Sequence, residues 1–219
     1  YAKTEPEKGA HGISAFIVEK DYPGFKVAQK LDKMGYRGSP TGELVFDDCR
    51  VPAKNLVGGE NQGNAVMMSG LDLERAMISP ICTGIAARAL DLSLEYAKTR
   101  EQFGKAIGSF QMIQSKLATM YIQVESARTF GHRVLAACNQ IGHAEGGRGS
   151  IHKLTAAGVH YTADVSARVL DEAVQIHGGM GYMREAEVNR LYRAGKLMEI
   201  GGGTQEIRKL IISGEMLKE

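Results

Sequence analysis

The sequence predicts a mainly α-helical protein, in which a long-helix up-down bundle follows part of a β-domain. Three observations lead to this prediction. Apolar residues recur at alternating spacings of four and three, which is typical of one helix face; the clearest stripe is Ile113, Leu117, Met120, Val124 and Ala127. Before residue 60 the apolar runs are short and bounded by turn residues, as strands are. After residue 63 the chain contains a single proline, Pro80.

Strands are predicted near 13–18, 25–31 and 43–46, with a fourth extended stretch at 49–51. The first of these is an apolar, β-branched and aromatic run, and the turn at 21–24 that follows it has Pro and Gly where a tight turn uses them. Connections without helices favour an antiparallel sheet or part of a barrel. Sixty residues are too few to close a barrel.

Helices are predicted over the rest of the chain, and each is followed by a break that contains glycine, as helix ends usually are. The predicted helices lie near 62–99, 109–141, 150–177, 185–197 and 204–216. The breaks lie at 100–108, 142–149, 178–184 and 198–203. Long helices joined by short loops are typical of an up-down bundle.

Composition and charge exclude several classes of protein. Of 219 residues, 43% are hydrophobic and 24% are charged, which are ordinary globular values and exclude a disordered or fibrous chain. The formal net charge of +2 gives no strong field for nucleic acid, so we expect no such partner. The longest apolar runs, 13–18 and 76–87, are shorter than a membrane span, and we expect none.

The cysteines and histidines form no recognisable site. Cys49, Cys82 and Cys138 are odd in number and far apart, so they provide neither a disulfide framework nor metal-ligand spacing. The histidines show no ligand spacing either, and we expect no bound metal. The histidines are His11, His132, His143, His152, His160 and His177. Because the chain begins with Tyr1 rather than Met and has no signal or transit peptide, we expect a piece of a longer protein.

Two glycine-rich segments, 175–182 and 201–206, have two interpretations. They join helix to helix, so they could simply end helices, and residue chemistry alone favours that view. Glycines also let the backbone approach a bulky ligand closely, and a helix beginning near Thr204 offers unpaired N–H groups to an anion.

Several motifs, in order along the chain, resemble the signatures of the acyl-CoA dehydrogenase family. They are Arg-Glu-Gln-Phe-Gly-Lys at 100–105 followed by Phe-Gln at 110–111, Gln-Ile-His-Gly-Gly-Met-Gly-Tyr at 175–182, and Gly-Thr-Gln-Glu at 203–206. The region 12–52 is similar to the second half of that family's middle β-domain. The resemblance therefore implies an acyl-CoA dehydrogenase-like fold, with residues 1–60 as the C-terminal half of the middle β-domain and 61–219 as the C-terminal helical bundle domain.

The resemblance implies a flavoenzyme. The family oxidises acyl-CoA thioesters between Cα and Cβ: a carboxylate removes the α-proton while the β-hydrogen leaves as hydride to N5 of FAD. The base has to lie close to Cα, in a site that raises its pKa. Family members share FAD between the subunits of a homotetramer, a dimer of dimers, and pass electrons to electron transfer flavoprotein. The implied compartment is the mitochondrial matrix in a eukaryote and the cytoplasm in a bacterium.

The position of the base departs from the family's majority pattern. Most members carry Glu in the loop before the last helix, where this chain has Gly202. A minority supplies Glu from the first long helix, and here Gly-Leu-Asp-Leu-Glu-Arg at 70–75 places Glu74 there. The members that oxidise isovaleryl-CoA to 3-methylcrotonyl-CoA, in leucine degradation, combine both features. Gly201 and Gly202 together leave volume for a branch near the carbonyl.

Glu74 alone would be interpreted as a solvated helix residue, or as part of an ion-pair network with Arg75; Leu71 and Ile78 flank it at i−3 and i+4. Alternatives stay open: a long-chain or other acyl-CoA dehydrogenase, a catalytically incomplete oligomerisation module, or a protein of this fold recruited as a flavin hydroxylase.

The resemblance also implies binding residues. Those implied for the cofactor are Arg100, Gln102, Phe103, Gln111, Gln175, Gly178, Gly179, Thr204 and Glu206. Those implied for the substrate are Leu71, Asp72, Arg75, Gly201 and Gly202. Structural roles compete with several of them, because Arg100 could complement a helix dipole, Thr204 and Gln111 could cap helices, and Phe103 could belong to the core.

Overall fold

A computed structural model describes residues 1–139 and 149–218. The predicted fold class is confirmed, since long helices dominate and a few short strands precede them. The chain divides into two compact units, Tyr1–Leu71 and Asp72–Glu219. Each unit is described by itself below.

The N-terminal unit contains short antiparallel strands in two separate sheets. In the first sheet, β2 (Ile13–Phe16) lies between β1 (Ala2–Lys3) and β5 (Leu56–Val57). The second sheet is a hairpin of β3 (Phe25–Leu31) and β4 (Thr41–Phe46). Phe25 pairs with Phe46 across this hairpin, and their rings lie 5.1 Å apart.

One predicted stretch differs from the structure. Residues 49–51 are not part of a strand, and the chain instead passes Pro52 and a 3-10 turn, Ala53–Asn55, before pairing at β5. Proline has no N–H to donate to a ladder, which explains why pairing resumes only beyond Pro52. Strand β1 was not predicted, because its two residues are too few to form a pattern.

The helical elements follow the apolar periodicity closely. They are α1 (Gly63–Thr99), α2 (Gln111–Asn139), α3 (Gly149–His177), α4 (Gly179–Tyr182), α5 (Glu187–Met198) and α6 (Gln205–Met216). The short helix α4 was not predicted. Of the predicted break at 142–149, only Gly149 lies within the described residues. His143 lies outside them.

Helix α3 is the centre of the C-terminal unit and packs against α2, α5 and α6. Small residues make this close packing possible. An added Cβ at Gly158 would lie 2.6 Å from Cγ2 of Val134 in α2, and one at Gly195 in α5 would lie 2.2 Å from Cδ1 of Leu170. The buried core extends across α1, α2 and α3 through residues such as Leu90, Met120 and Val169.

By length and composition alone, α1 is apolar enough to cross a membrane, with a mean hydropathy of 1.2 over its most apolar window. Buried core helices pass the same test, and 39% of that window is buried. The expected absence of a membrane span therefore stays a prediction.

The carboxylate of Glu215, near the end of α6, closes the start of α3. Its Oε2 accepts from the Gly149 amide at 2.9 Å, and its Oε1 accepts from Nζ of Lys218 at 2.7 Å. The ammonium group of Lys218, followed by the Gly149 amide, lowers the pKa of Glu215 below its ordinary value. Glu215 thus satisfies one of the N–H groups that a helix start leaves without an intrahelical partner.

We predict that Gly158→Ala lowers the free energy of unfolding relative to Gly214→Ala. Both substitutions gain the same intrinsic helix propensity, because both glycines lie inside helices. An added Cβ at Gly214 meets nothing within 4 Å, whereas at Gly158 it is overpacked against Val134. Urea unfolding should separate the variants by about 1–3 kcal/mol, the usual cost of overpacking. Equal stabilities would mean that α2 and α3 are not in such close contact.

Candidate functional site

The fold brings Glu74 close to Gly202, which lies far along the sequence. Arg75, the residue after Glu74, is 127 positions before Gly202. A Cβ built on Gly202 would lie 3.8 Å from Oε1 of Glu74 and 3.2 Å from Cδ1 of Ile78. Glu74 and Ile78 are one turn apart on α1, so both side chains face the segment that joins α5 to α6. The Glu74 side chain is exposed in the isolated chain. The bare backbone of Gly202 therefore lies next to an acidic group, where an added side chain would crowd Ile78.

The loop at 199–204 has a backbone that favours glycine. Gly202 has a φ of +70° and Gly203 a φ of +102°, in the left-handed region that L residues with a Cβ rarely adopt. The Gly201 amide donates to the Leu197 carbonyl at 2.7 Å, which ends α5. The hydroxyl of Thr204 accepts from the Ile207 amide at 3.5 Å and caps α6.

Arg75 connects α1 to this loop from the interior. Its side chain is buried, and its Nε donates to the Gly202 carbonyl at 3.1 Å. Its Nη2 lies 3.9 Å from the point where a Cβ on Gly203 would be. Since Glu74 precedes Arg75 directly, this bond fixes the distance between the acidic residue and position 202.

A buried polar cluster orients Arg75. Oδ1 of Asp72 lies 2.8 Å from Nδ1 of His152, accepts from the Thr155 hydroxyl at 3.0 Å, and lies 3.5 Å from Nη1 of Arg75. A carboxylate oxygen can only accept, so the geometry assigns the His152 proton to Nδ1. The Asp72 side chain thus compensates the buried charge of Arg75.

Arg208 reaches the same loop from α6. This side chain is completely buried, and its Nη2 donates to the carbonyls of Met198, at 2.8 Å, and Gly201. Its Nη1 donates to Oε1 of Gln205 at 3.0 Å. Burial lowers the pKa of Arg208, yet a guanidinium stays charged in proteins. Burial also raises the pKa of the neighbouring Cys82 thiol to about 11, so this thiol stays protonated.

A second site lies at the opposite end of α1, in a cleft of about 780 Å³. Four of the predicted cofactor residues line it together: Gln102, Phe103, Gln111 and Gln175. The cleft also contains Lys105, whose Nζ lies 4.5 Å from the centroid of the Phe110 ring. Aromatic faces, amides and a cation in one cleft suit a nucleotide, whose base stacks and whose phosphates attract cations.

A tight hairpin displays Phe103 at this cleft. Strands β6 (Glu101–Gln102) and β7 (Lys105–Ala106) are joined by a two-residue turn, in which Phe103 has a φ of +52° and Gly104 a φ of +78°. Positive φ at both central residues defines a type I′ turn. A phenylalanine there is strained, and the residue is 92% exposed. The turn therefore holds an aromatic ring outside the core.

The remaining predicted residues are less closely grouped. Arg100 is exposed and does not line the cleft, while Gly178 and Gly179 have open space where a Cβ would be. Glu206 is exposed, and its own backbone N–H, followed by the Thr204 hydroxyl, lowers its pKa. Leu71 is the last residue of the N-terminal unit. Among residues 1–139 and 149–218, no group of His, Cys, Asp and Glu has the geometry to hold a metal ion.

Sequence reasoning did not identify His152, Thr155 and Arg208 as parts of the site. His152 and Thr155 share a helix face with the buried residues Ala156 and Val159, and polar residues on such a face were the available signal. Arg208 had no comparable local signal, since a lone Arg in a helix is usually solvated.

Two family models match the chain. Residues 61–217 match the family model described as the acyl-CoA dehydrogenase C-terminal domain, and residues 1–49 match the model of the middle domain. The mitochondrial isovaleryl-CoA dehydrogenase of Oryza sativa subsp. japonica is 47% identical over 100% of this chain and 52% of its own length. The mitochondrial 2-methylacyl-CoA dehydrogenase of Solanum tuberosum is 44% identical over 100% of this chain and 51% of its own.

Solved structures are similar as well. Butyryl-CoA dehydrogenase from Megasphaera elsdenii matches with a TM-score of 0.89 at 41% identity, over 99% of this chain and 55% of that chain. An acyl-CoA dehydrogenase complexed with FAD from Bacillus anthracis matches with a TM-score of 0.86 at 32% identity, over 94% of this chain and 37% of that chain. The chain spans about half the length of the curated relatives it matches.

We predict that Asp72→Asn strongly destabilises the C-terminal unit, because it leaves the buried guanidinium of Arg75 without its carboxylate. Breaking a buried ion pair costs about 3–5 kcal/mol. The matched control is Asp164→Asn, which removes an exposed pair with Arg168 and should cost less than about 1 kcal/mol. Urea unfolding at neutral pH measures both variants, and similar losses would contradict the structural role of Asp72.

Proposed function

The chain belongs to the acyl-CoA dehydrogenase family, and we propose that the protein carries out FAD-dependent α,β-dehydrogenation of a short branched-chain acyl-CoA, with isovaleryl-CoA giving 3-methylcrotonyl-CoA. The observation that carries the proposal is the carboxylate of Glu74 beside the bare backbone of Gly202. Relatives named isovaleryl-CoA dehydrogenase support the substrate, at 43% to 47% identity.

Glu74 acts as the base that removes the α-proton of the thioester. An α-proton is weakly acidic, so the base has to be held close to it and shielded from water. The exposed carboxylate fits this role once a bound acyl chain covers it. The buried bond from Arg75 to the Gly202 carbonyl keeps the base and the loop at a fixed separation, which is the kind of positioning that accelerates proton transfer.

The acyl chain occupies the space beside Gly202. A side chain at this position would come within 3.2 Å of Ile78, so glycine is what keeps the space open next to the carboxylate. A branch near the thioester carbonyl requires such width. The potato relative favours a second candidate, a 2-methyl-branched acyl-CoA, because a branch at Cα needs room in the same place.

FAD is the proposed cofactor, and the residues of the cleft fit its adenosine diphosphate part. Phe103 offers an exposed ring for adenine, Lys105 a cation for the diphosphate, and Gln102, Gln111 and Gln175 offer amide donors and acceptors. When bound, FAD supplies the acceptor for the hydride from Cβ. Thr204 and Glu206 at the start of α6, together with Arg100, Gly178 and Gly179, complete the proposed cofactor residues.

We further propose that the protein assembles as a homotetramer, with each cleft holding the FAD of a neighbouring subunit. Exposed apolar residues support association, since Leu73, Met77 and Ile81 form a stripe along α1, and Ile207 and Leu210 lie exposed on α6. Electron transfer flavoprotein is the proposed electron acceptor. The proposed compartment is the mitochondrial matrix in a eukaryote and the cytoplasm in a bacterium.

We predict that Glu74→Gln, in the protein at the full length of its relatives, lowers kcat for isovaleryl-CoA about 10²–10⁴-fold while FAD content stays unchanged. Glutamine keeps the shape of the side chain but cannot accept the proton. The matched control is Glu95→Gln, an exposed carboxylate on the same helix, which should leave turnover unchanged. Anaerobic flavin bleaching measures the reaction. Near-normal bleaching in Glu74→Gln would show that Glu74 is not the base.

We also predict that the base can be relocated. Glu74→Gly should lose activity, and adding Gly202→Glu should restore part of it, because the two positions face the same space. Recovery is expected to be incomplete, since a φ of +70° costs a residue with a Cβ about 1–2 kcal/mol. A substrate panel should show preference moving toward straight chains, as the new side chain fills the space for a branch. No recovery with any substrate would contradict the shared geometry.

For the cofactor, we predict that Arg100→Ala weakens FAD retention about tenfold to a hundredfold, the amount expected for losing a charged hydrogen bond to phosphate. Arg133→Ala, which removes an exposed cation of α2, is the control and should retain FAD. Flavin absorbance after dialysis measures both. Equal retention would exclude Arg100 from the cofactor site.

A further inference from the structure

We propose that Arg208 is a positioning residue for the reaction site: its guanidinium fixes the loop at 199–204, and so keeps position 202 in place beside Glu74. The inference rests on the proposed function for the identity of the reaction. The geometry that carries it is independent of that identity. Arg208 spans the loop from both ends, with bonds to the carbonyls of Met198 and Gly201 and to the Gln205 side chain.

The loop needs an external constraint because of its composition. Three consecutive glycines, Gly201 to Gly203, carry no side chain that could pack, and glycine loses more conformational freedom on ordering than any other residue. Order at these three residues therefore has to come from hydrogen bonds of the backbone groups. From α6, Arg208 binds the carbonyl of Gly201 and that of Met198, the residue just before the loop. Arg75 binds the carbonyl of Gly202 from α1, so two guanidinium groups hold the loop from two sides.

The burial of Arg208 is costly, which argues for a specific role. The side chain has no exposed surface, and its Nε has no hydrogen-bond partner among the described residues. Burying a charge is unfavourable unless it is paired, and within the described residues no carboxylate lies within ion-pair distance of Arg208. Two backbone carbonyls and Oε1 of Gln205 compensate this charge directly, and the carboxylate of Glu199 acts on it from a longer distance. A residue needed only for packing would not require a guanidinium at this place.

The consequence for the reaction follows from distance. The point where a Cβ on Gly202 would be is 3.8 Å from Oε1 of Glu74. A shift of the loop by about 1 Å would change the space for the acyl chain and the approach of the base, and shifts of this size cost about a hundredfold in rate. Arg208 does not contact the carboxylate of Glu74 and acts through the loop.

The experiment compares Arg208→Gln and Arg208→Lys in the full-length protein with bound FAD. Lysine keeps the charge, and glutamine keeps a donor without the charge. Neither has the two-nitrogen fork in which Nη2 donates to both carbonyls while Nη1 donates to Oε1 of Gln205. The control is Arg88→Gln, which removes an arginine paired with Glu187 at the surface. Hydrogen exchange of the amides at 199–204 and kcat/KM for isovaleryl-CoA and butyryl-CoA are measured for each variant.

We expect the amide hydrogens at 199–204 to exchange at least about tenfold faster in both Arg208 variants. The value of kcat/KM should fall about tenfold to a hundredfold. The ratio of the kcat/KM values for the two substrates should also change, which a uniform loss of folded protein cannot produce. Arg88→Gln should change none of these quantities. Normal exchange in the loop, an unchanged substrate ratio, or failure of both variants to fold would each overturn the assignment. If Glu74 proves not to be the base, the exchange measurement still tests Arg208 separately.

Discussion

Two buried guanidinium groups, from Arg75 and Arg208, hold the loop at 199–204, whose centre is three glycines without side chains. The loop carries Gly202, and its position decides how much space remains beside the carboxylate of Glu74. Because glycines cannot order a loop by packing, the site depends on hydrogen bonds to backbone carbonyls. These hydrogen bonds can form because the bundle brings Arg75 on α1 and Arg208 on α6 to the loop that follows α5.

The same constraint explains why charged residues lie inside the bundle. A buried charge costs free energy, and an apolar side chain of similar size would often stabilise a protein more. Asp72, His152 and Thr155 offset that cost for Arg75 by forming a cluster on one carboxylate oxygen. Burying these polar groups costs stability, but it gives the loop a defined conformation. Costs of this kind are expected at active sites.

Much of the fold could be predicted, because helix periodicity is a local property. The stripe from Ile113 to Ala127 predicted α2, and the glycines at 201–203 predicted the break before α6. The neighbourhood of Glu74 and Gly202 could be reached only through the resemblance, since no spacing connects residues so far apart. Arg208 could not be found from the sequence, because its role depends on burial by other helices, and His152 had only the weak signal of a polar residue on an apolar helix face. The type I′ turn at Phe103 was also missed, since phenylalanine is an unusual residue at positive φ.

The central claim is that Glu74 is the base and that the absence of a side chain at position 202 gives the acyl chain its place beside it. A crystal structure of the full-length protein with FAD and a non-oxidisable branched acyl-CoA tests this claim most directly. We expect a carboxylate oxygen of Glu74 about 3–3.5 Å from Cα, with the branch against Gly202. Another acidic side chain at Cα, with Glu74 directed away from the thioester, would contradict it.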